Sequence, residues 1–359
     1  MNKKSVLFII TSISEYRVFL YNQISALYDI TVGYYMKDNT LSNCYFKKIK
    51  LPYIKIGPFL FSKNDLNRYC ENFDVVIFEP NMHNVSYVLL PFINKKSKFI
   101  AWSIGIRASY TRRYNLSKKK DLLDLMIFKI FDQSDALIFY SDHAIKFWED
   151  TKLDKSKIFI AHNTVPVKTN AILEDNLKQN ILFIGTLYPQ KRIDELLNAY
   201  NGIFKKYHDK TPNLLIVGDG PEKSIIEEYL IDENLSDKVI LLGSIFNEDK
   251  LCEIFKSSLI CVSPDQAGLS VLKSMGYGVP FITRKNAVTG GEIFNIEDGI
   301  NGFLYDNETD LIDILEKTIL NRKIFIEMGY NARNYYLKEA YPEKMINGVV
   351  KAIEYSLMK

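Results

Sequence analysis

The 359-residue chain is poor in the residues and spacings that build metal, disulfide and hydrolase sites. Its four cysteines, Cys44, Cys70, Cys252 and Cys261, have no CxxC or zinc-type spacing, so we expect reduced core thiols in a cytosolic protein. The four histidines form no HxH or HxxxH pair, which argues against a metal site and a histidine-led triad. The GxSxG motif of hydrolases is also absent.

Long apolar runs and a strong net charge are lacking too. No window reaches the roughly 18 apolar residues that span a bilayer, and the short N-terminal run VLFII predicts a first strand. We therefore expect a cytoplasmic protein that lies at most on the inner face of the cell membrane. A net charge of +3 and the absence of a recognised nucleic-acid module predict no nucleic-acid partner.

The sequence alternates short apolar runs with amphipathic stretches from end to end. Its composition is 47% hydrophobic and 25% charged residues. This alternation is typical of parallel sheets covered by helices on both faces, and the length of the chain allows two domains. A polar stretch at 166–180 interrupts it. The predicted strands are 6–10, 30–35, 75–79, 99–103, 136–141 and 158–163, and then 181–185, 213–220, 238–244, 259–264 and 279–283.

We therefore predict an α/β protein built from two Rossmann-like, doubly wound domains that face a central cleft. The predicted domains are residues 1–170 and residues 171–340. Residues 341–359 form a last helix able to pack back on the first domain. Ligands in such sheets bind beyond the carboxyl ends of the strands.

The stretch GTLYPQKR (185–192) joins a predicted strand to a predicted helix. Lys191 and Arg192 stand at the helix start, where the macrodipole already attracts anions by roughly 0.3 to 1 kcal/mol. Charge-assisted bonds from the two cations would strengthen a phosphate site there. The alternative is a pair of solvated surface cations.

The stretch PDQAGLSVLKSMGYGVP (264–280) predicts a turn at Gly268 followed by a short helix. The backbone N–H groups of Ala267, Gly268 and Leu269 would face a bound anion, and glycine permits its close approach. Asp265 would then lie beside a sugar hydroxyl. Alternatively, Asp265 serves only as an N-terminal helix cap.

A third glycine-containing stretch, VGDGPEKS (217–224), invites comparison with dinucleotide-binding sites. Lys223 stands where the third glycine of that fingerprint belongs, and no acid closes the following strand. A tight turn from strand to helix explains the stretch better than an NAD site.

Taken together, these segments resemble the family 4 glycosyltransferases of the GT-B fold. The resemblance is carried by FIGTLYPQKRIDELLNAY, NLLIVGDGPEKSIIEEY, PDQAGLSVLKSMGYGVPFIT and EDGINGFLYD, and it is dense over roughly 181–306. It implies transfer from a nucleotide-diphosphate sugar held mainly by the second domain, residues 171–340. The acceptor is then expected to bind the first domain, residues 1–170. Family members usually retain the anomeric configuration and need no bound metal, so the resemblance implies neither a metal nor a cofactor.

The resemblance also assigns roles to individual residues. Lys191 would pair with the diphosphate, and Asp265 takes the first acidic position of the E-x7-E motif, which holds donor-sugar hydroxyls. These two residues are the catalytic candidates of the second domain. The implied donor-binding residues are Gly185, Thr186, Lys191, Arg192, Asp265, Gln266, Ala267, Gly268, Leu269, Lys273 and Glu292.

Four positions depart from the family pattern. Thr186 replaces an arginine, Phe294 aligns with a glutamate that Glu292 precedes by two residues, and Ile104 fills the place of a histidine in the first domain. Lys273 replaces the second acid of E-x7-E, which normally binds the ribose. Three interpretations of Lys273 stay open: it donates to the ribose hydroxyls, it reaches a phosphate, or it is a solvated lysine.

The stretch IRASYTRRYNLSKKK (106–120) contains six cations, two tyrosines and no acid, and the amphipathic DLLDLMIFKIF follows it. This pattern favours contact with an anionic membrane or a lipid diphosphate, at about 1 kcal/mol per cation. For the apolar helix alone, docking on the sheet is the better interpretation. The predicted membrane contacts are Arg112, Arg113, Lys118, Lys119 and Lys120, and Arg107 is a candidate for an acceptor phosphate.

Glu15 and Arg17 follow the first predicted strand directly and should face the ligand. Arg17 is a candidate for an acceptor phosphate or for the departing diphosphate. Glu15 is the candidate base if the reaction inverts the anomeric centre. Either residue is alternatively a cap at the helix start.

We thus expect a bacterial, metal-independent glycosyltransferase that acts on a glycan, with a lipid-linked intermediate of capsule or O-antigen synthesis as the acceptor. A degenerate transferase that only binds nucleotide sugar or glycan is the alternative suggested by the four departures. A sugar-nucleotide epimerase of the same fold fits less well, because the chain has few histidines for acid–base chemistry.

Overall fold

The computed structural model describes residues 3–109, 112–168 and 175–359, which form two compact units. Unit 1 contains the chain up to Arg107, Asn115–Val165 and Pro342–Lys359. Unit 2 contains Ala108–Tyr114 and Pro166–Tyr341. The predicted boundary between residues 170 and 171 lies outside the described residues.

Unit 1 is built on a seven-stranded sheet in which every neighbouring pair is parallel, in the order β3-β2-β1-β6-β7-β8-β9. A separate antiparallel hairpin, β4-β5, lies outside this sheet. The strands are β1 (Ser5–Ile10), β2 (Asp29–Tyr34), β3 (Lys47–Lys50), β4 (Tyr53–Ile56), β5 (Phe59–Ser62), β6 (Val75–Phe78), β7 (Lys98–Ser103), β8 (Ala136–Phe139) and β9 (Ile158–Ile160).

The central strands of unit 1 are buried on both faces, as their continuous apolar runs require. Val6 and Phe8 face one apolar core, and Leu7 and Ile9 face the other. The helices up to this point are α1 (Val18–Ser25), α2 (Leu66–Cys70), α3 (Val85–Val88), α4 (Leu90–Ile93), α5 (Leu122–Gln133) and α6 (His143–Phe147).

Unit 2 contains a six-stranded parallel sheet in the order β12-β11-β10-β13-β15-β17, and a short parallel ladder of β14 and β16. Its strands are β10 (Asn180–Ile184), β11 (Leu214–Val217), β12 (Val239–Gly243), β13 (Ser258–Val262), β14 (Gln266–Ala267), β15 (Phe281–Arg284), β16 (Val288–Thr289) and β17 (Gly302–Tyr305). Its helices are α7 (Ile193–Tyr207), α8 (Lys223–Asp232), α9 (Glu248–Ser257), α10 (Leu269–Gly276), α11 (Glu308–Leu320) and α12 (Arg322–Tyr335).

The last helix, α13 (Pro342–Met358), belongs to unit 1 and packs on β7, β8, β9 and α1. Met345 and Val349 join the apolar core there. Gly348 lets the helix backbone approach the sheet, because a Cβ at this position would lie 2.2 Å from the carbonyl oxygen of Ile160.

These parallel sheets confirm the predicted α/β class. In each sheet the strand order reverses at one point, between β1 and β6 in unit 1 and between β10 and β13 in unit 2. Open α/β sheets bind ligands beyond the carboxyl ends of the strands at such a reversal. A functional site is therefore expected beyond the strand ends at these two reversals.

Candidate functional site

The loop after β10 places Lys191 at the strand reversal of unit 2. Gly185 ends the strand with a φ of 154°, a backbone conformation that favours glycine. The Lys191 side chain folds back over this glycine, so that a Cβ at Gly185 would lie 2.9 Å from Lys191 Nζ. Gly185 therefore makes the space that the ammonium group occupies.

Lys191 is a buried cation without a polar partner. Its side chain is buried, and its Nζ lies 5.9 Å from the centre of the Tyr188 ring. Over the described residues, no hydrogen bond or ion pair reaches Lys191 Nζ. Burial lowers the pKa of Lys191 to about 8. An unpaired charge in such a position is costly unless a bound anion compensates it.

The neighbouring residues of this loop are arranged differently. Arg192 adopts a left-handed conformation with φ 50° and places Nη2 3.4 Å from Glu195 Oε2. Buried Glu195 also accepts hydrogen bonds from Arg284 Nε and from Tyr305 Oη, which fixes the start of α7. Thr186 is exposed. Arg192 therefore stands beside Lys191 but is tied partly to the helix.

Asp265 lies on the neighbouring strand of the same reversal, just after β13. The loops after β10 and β13 are joined directly, because Tyr188 Oη donates to Gln266 Oε1 at 2.6 Å. Asp265 is buried and accepts two hydrogen bonds from Arg113, with Nη1 at 2.9 Å and Nη2 at 2.8 Å. The structure thus brings the loop that carries Lys191 next to the loop that carries Asp265 and Gln266, and their role in binding a donor stays a prediction.

The helix-cap alternative for Asp265 is wrong. Gly268 is the N-cap of α10, and no side chain accepts a hydrogen bond from the first turn. A Cβ at Gly268 would meet open space, which leaves the entry to the helix accessible. Ala267 is paired with Thr289 in the short ladder, so of the three predicted amides those of Gly268 and Leu269 lie at the helix start.

Lys273 forms an ion pair that the sequence did not indicate. Its Nζ lies 2.8 Å from Glu248 Oε2, and Tyr277 Oη donates to Glu248 Oε1 at 2.6 Å. The Lys273 side chain is 16% exposed, so the solvated-lysine interpretation is wrong. The other two interpretations stay predictions.

Glu292 is buried in the glycine turn after β16. Its Oε2 accepts a hydrogen bond from the Gly290 amide at 2.8 Å and one from Thr289 Oγ1 at 3.2 Å. These bonds hold the turn together. Phe294 packs edge to face on Tyr114, with ring centres 5.0 Å apart.

Unit 1 has a cavity of about 70 Å³ at its own strand reversal. Glu79 follows β6 directly and lines it together with Arg17, Trp102 and Tyr140. Burial raises the pKa of Glu79, and the hydrogen bonds from Thr11 and the charge of Arg17 offset this only in part. The indole N–H of Trp102 is buried and has no hydrogen-bond partner among the described residues. The cavity therefore contains both an acceptor and a donor for a bound hydroxyl group.

Arg17 forms a wall of this cavity and is itself buried. Its Nη2 donates to Asn163 Oδ1 at 2.6 Å and to Tyr140 Oη at 3.1 Å, while Nη1 donates to Met345 Sδ at 2.9 Å. The guanidinium carbon also lies 5.4 Å from the centre of the Trp102 ring. These contacts fix the side chain in place and use several of its five donors.

The structure argues against Glu15 as a base. Its carboxylate accepts hydrogen bonds from the Leu41 amide at 2.6 Å and from the amide and the hydroxyl of Ser42. Partial burial opposes ionisation, but these bonds together lower the pKa of Glu15 below its ordinary value. Glu15 holds the loop at 41–42.

Much of the basic stretch is neutralised within the protein. Arg107 and Lys118 both pair with Asp121 and with buried Asp124, so Arg107 is not available for an acceptor phosphate. Lys120 pairs with Asp150. Arg113 binds Asp265. Two of the predicted membrane contacts, the exposed Arg112 and Lys119, therefore form no ion pair with an acid in the described part of the chain.

Sequence reasoning missed Glu79 and Glu248. A signal was present for Glu79, because an acid directly after a buried strand at the strand reversal faces the ligand side of a sheet. No comparable signal marked Glu248, which reaches Lys273 across 25 positions of the chain.

Comparison with known proteins extends this picture. Residues 178–321 match the family described as glycosyl transferases group 1. Alpha-monoglucosyldiacylglycerol synthase of Acholeplasma laidlawii is 20% identical over 274 residues, which cover 74% of this chain and 64% of that relative. N-acetyl-alpha-D-glucosaminyl L-malate synthase of Bacillus anthracis is 26% identical over 169 residues, which cover 46% and 43%. The chain thus spans less than two thirds of the length of either relative.

Similarity to a solved structure covers nearly the whole chain. HepE of Anabaena, solved in complex with UDP, superposes with a TM-score of 0.72 at 12% identity, over 98% of this chain and 99% of that chain. At this identity the likeness establishes the fold, which is GT-B. The chain has the GT-B fold, and its residues 178–321 match the family of group 1 glycosyltransferases.

Proposed function

We propose that this protein transfers a sugar from a nucleotide-diphosphate sugar to a glycan acceptor, with retention of the anomeric configuration. The acceptor that we infer is a lipid-linked intermediate of bacterial surface polysaccharide, such as capsule or O-antigen. The observation that carries the proposal is the buried ammonium group of Lys191 at the strand reversal of unit 2, which pairs with no polar group in the described part of the chain. A diphosphate is the anion that would compensate it.

In the proposed reaction, an acceptor hydroxyl oxygen forms a bond to the anomeric carbon while the bond from that carbon to the diphosphate oxygen breaks. The leaving nucleoside diphosphate keeps the electron pair and gains negative charge. The hydroxyl proton passes to that leaving group, so a protein base is not required. Lys191 and the amides at the start of α10 stabilise the charge that develops.

Glu248 is our candidate for the nucleotide's ribose. The resemblance expects a carboxylate at position 273 for this role, and the chain instead has a lysine that holds the carboxylate of Glu248. Glu248 is partly exposed at the start of α9, so it retains lone pairs for ribose hydroxyl groups. Lys273 is then a positioning residue that acts through Glu248.

Replacing Lys273 by alanine should raise the donor KM and lower kcat/KM by at least about tenfold, which is on the order of 1.4 kcal/mol. Glu248→Gln should give a loss of similar size. Because both changes disturb the same ion pair between Lys273 and Glu248, the kcat/KM of the double variant should be only slightly lower than that of either single variant. Steady-state kinetics with varied donor measures all three.

Lys256→Ala is the matched control. Lys256 lies on α9, the helix that also carries Glu248, and it pairs with another acid of that helix, Glu253, at 2.9 Å. Its donor KM should stay at the wild-type value. Additive losses in the double variant would mean that Lys273 contacts the nucleotide independently of Glu248.

The cavity of unit 1 is our candidate for the acceptor hydroxyl group. Glu79 offers an acceptor, Trp102 offers an unused N–H donor, and aromatic rings form the walls, which is a chemistry suited to a sugar or polyol. The relative that makes alpha-monoglucosyldiacylglycerol supports a lipid-borne acceptor.

Glu79→Gln should raise the acceptor KM about tenfold and leave the donor KM unchanged, because the change removes one charge-assisted hydrogen bond to the acceptor. Slow hydrolysis of the donor by water, measured without acceptor, should also stay unchanged. Trp102→Phe is the companion variant, and its effect should likewise fall on the acceptor alone. An equal rise in the donor KM would remove Glu79 from the acceptor site.

Nucleotide release from a panel of nucleotide sugars, with and without a lipid-linked acceptor, tests the function as a whole. Acceptor-dependent release is the expected result. Tight binding of nucleotide sugar without any turnover would favour the second candidate, a degenerate transferase that only binds. That candidate is favoured by Arg113, because its guanidinium donates hydrogen bonds to both carboxylate oxygens of Asp265, the residue assigned to the donor sugar.

A further inference from the structure

Unit 1 exposes an extended apolar surface on three consecutive regions of the chain. It comprises hairpin β4-β5, helices α3 and α4, and the first half of α5, and we name it the apolar face. Of the sixteen large apolar side chains that the described part of unit 1 exposes, ten lie on it. They are Ile54, Ile56, Phe59, Leu89, Phe92, Ile93, Leu122, Leu123, Leu125 and Met126.

The elements of the apolar face touch one another. The Leu60 amide of the hairpin donates to the His83 carbonyl at 2.7 Å, and the Ser62 amide donates to Ser86 Oγ at 2.7 Å. Helix α4 continues from α3 and packs against α5. The exposed side chains therefore form a continuous surface.

The exposed fraction of these apolar side chains is larger than elements that only cover a sheet require. Leu122 is 74% exposed, Ile56 is 62% exposed and Ile93 is 57% exposed. The helix α5 does dock on the sheet, through Ile127, Ile130 and Phe131, so its exposed residues form a second apolar side. Contiguous apolar surfaces of this kind mark interaction sites.

The charge around the apolar face identifies the occupant. Residues 53–63 and 85–96 contain four lysines, Lys55, Lys63, Lys95 and Lys96, and no acid, and of these Lys96 pairs with Glu71 at 2.6 Å. Exposed Lys119 and Lys129 flank the apolar half of α5. The exposed acids of this segment are Asp132 and Asp121, and Asp121 is neutralised by Arg107 and Lys118. Apolar side chains surrounded by lysines match the interior and the anionic headgroups of a bilayer surface.

We propose that the apolar face docks unit 1 on an anionic lipid bilayer, which rests on the proposed use of a lipid-linked acceptor. No helix within the described ranges is long and apolar enough to cross a membrane. The contact is therefore peripheral, with the side chains of the hairpin and of α5 entering the headgroup region. The basic stretch at 106–120, whose cations are mostly paired, has a smaller part in it.

Flotation with vesicles tests the docking in the absence of donor and acceptor. The full-length protein should float with phosphatidylcholine vesicles that contain about 30% phosphatidylglycerol and bind pure phosphatidylcholine at least tenfold more weakly. The triple variant Leu122→Ser, Leu125→Ser, Met126→Ser should lose at least about tenfold in affinity for the anionic vesicles. Lys95→Gln with Lys129→Gln should lose about fivefold per lysine.

The matched control replaces equally exposed apolar residues of unit 2, as Ile225→Ser, Ile231→Ser, Leu320→Ser. Its vesicle binding should equal that of the unchanged protein. Equal binding by the α5 triple variant would overturn the proposal. A dimer in solution that the α5 variant dissolves, without vesicle binding by the unchanged protein, would also overturn it and assign the face to a second copy.

The vesicle result is separable from the proposed function. Vesicle binding by a protein without turnover would leave the docking in place and reject the transferase. Nucleotide release with a detergent-dissolved acceptor, without vesicle binding, would reject the docking and leave the transferase in place.

Discussion

Replacement of Lys191 by methionine is expected to reduce nucleotide release from the donor by at least about a hundredfold, while it makes the protein more stable. The ammonium group of Lys191 is buried and has no polar partner over the described residues. Removing one group that stabilises the departing diphosphate typically costs about 2.7 kcal/mol or more in the barrier. Turnover with saturating donor measures this loss.

The stability gain follows from the pKa of Lys191, which burial lowers to about 8. The unfolded chain restores the ordinary value, so the charged group costs folding on the order of 3 kcal/mol at pH 7. This cost is fully present below pH 8 and disappears as the pH rises towards the unfolded pKa. Lys191→Met should therefore raise the Tm at pH 7, and the gain should shrink above pH 8.

The same pKa predicts how the pH affects donor binding. Only the charged form of Lys191 compensates a diphosphate, so the apparent Kd should rise about tenfold between pH 7 and pH 9. UDP is the first probe, followed by the other nucleoside diphosphates, and calorimetry measures both pH values. Lys191→Arg keeps its charge at pH 9 and should abolish the pH dependence.

Lys178 is the matched control for Lys191. Its side chain is equally buried, and burial lowers its pKa to about 8 as well. It lies before β10, at the opposite edge of the same sheet, and it donates to the carbonyl oxygen of Gly278 at 2.8 Å. Lys178→Met should leave the pH dependence of UDP binding unchanged. A loss of UDP binding in this variant would mean that any buried lysine of unit 2 has the same effect.

The apolar periodicity of the sequence predicted the sheets well, because buried parallel strands require continuous apolar runs. The run VLFII lies within β1, and ILFIG overlaps β10. Strand β3 and the hairpin β4-β5 were not predicted, since their exposed lysines break the apolar pattern. The position of Lys191 in the loop that follows Gly185 was predicted, because these residues lie close together in the sequence, and their role in binding a donor stays a prediction.

Contacts between residues that are far apart along the chain could not be predicted from the sequence. The stretch 106–120 contains no acid, yet Asp124 neutralises Arg107 and Lys118 from the helix that follows it. Helix α5 was predicted to dock on the sheet, and one side of it does so, whereas the apolar residues of its other side are exposed. Charge and apolarity are visible in a sequence, whereas the partner of each group depends on the fold.

Asp265→Asn should lower kcat/KM for the donor at least about a hundredfold, which corresponds to one or two charge-assisted bonds to sugar hydroxyl groups. Asp265 is buried at the strand reversal of unit 2, beside the open entry to α10. Its carboxylate binds Arg113 with both oxygens and still has lone pairs for a sugar. Steady-state kinetics with varied donor measures the loss.

Arg113→Gln separates the two contacts of Asp265, because it removes the ion pair and keeps the carboxylate. Since Arg113 is about half exposed, water can solvate the carboxylate once the guanidinium is gone. Its kcat/KM should therefore stay within about threefold of the unchanged protein, far above that of Asp265→Asn. Equal losses in the two variants would show that Asp265 acts by holding Arg113 and not by binding the sugar.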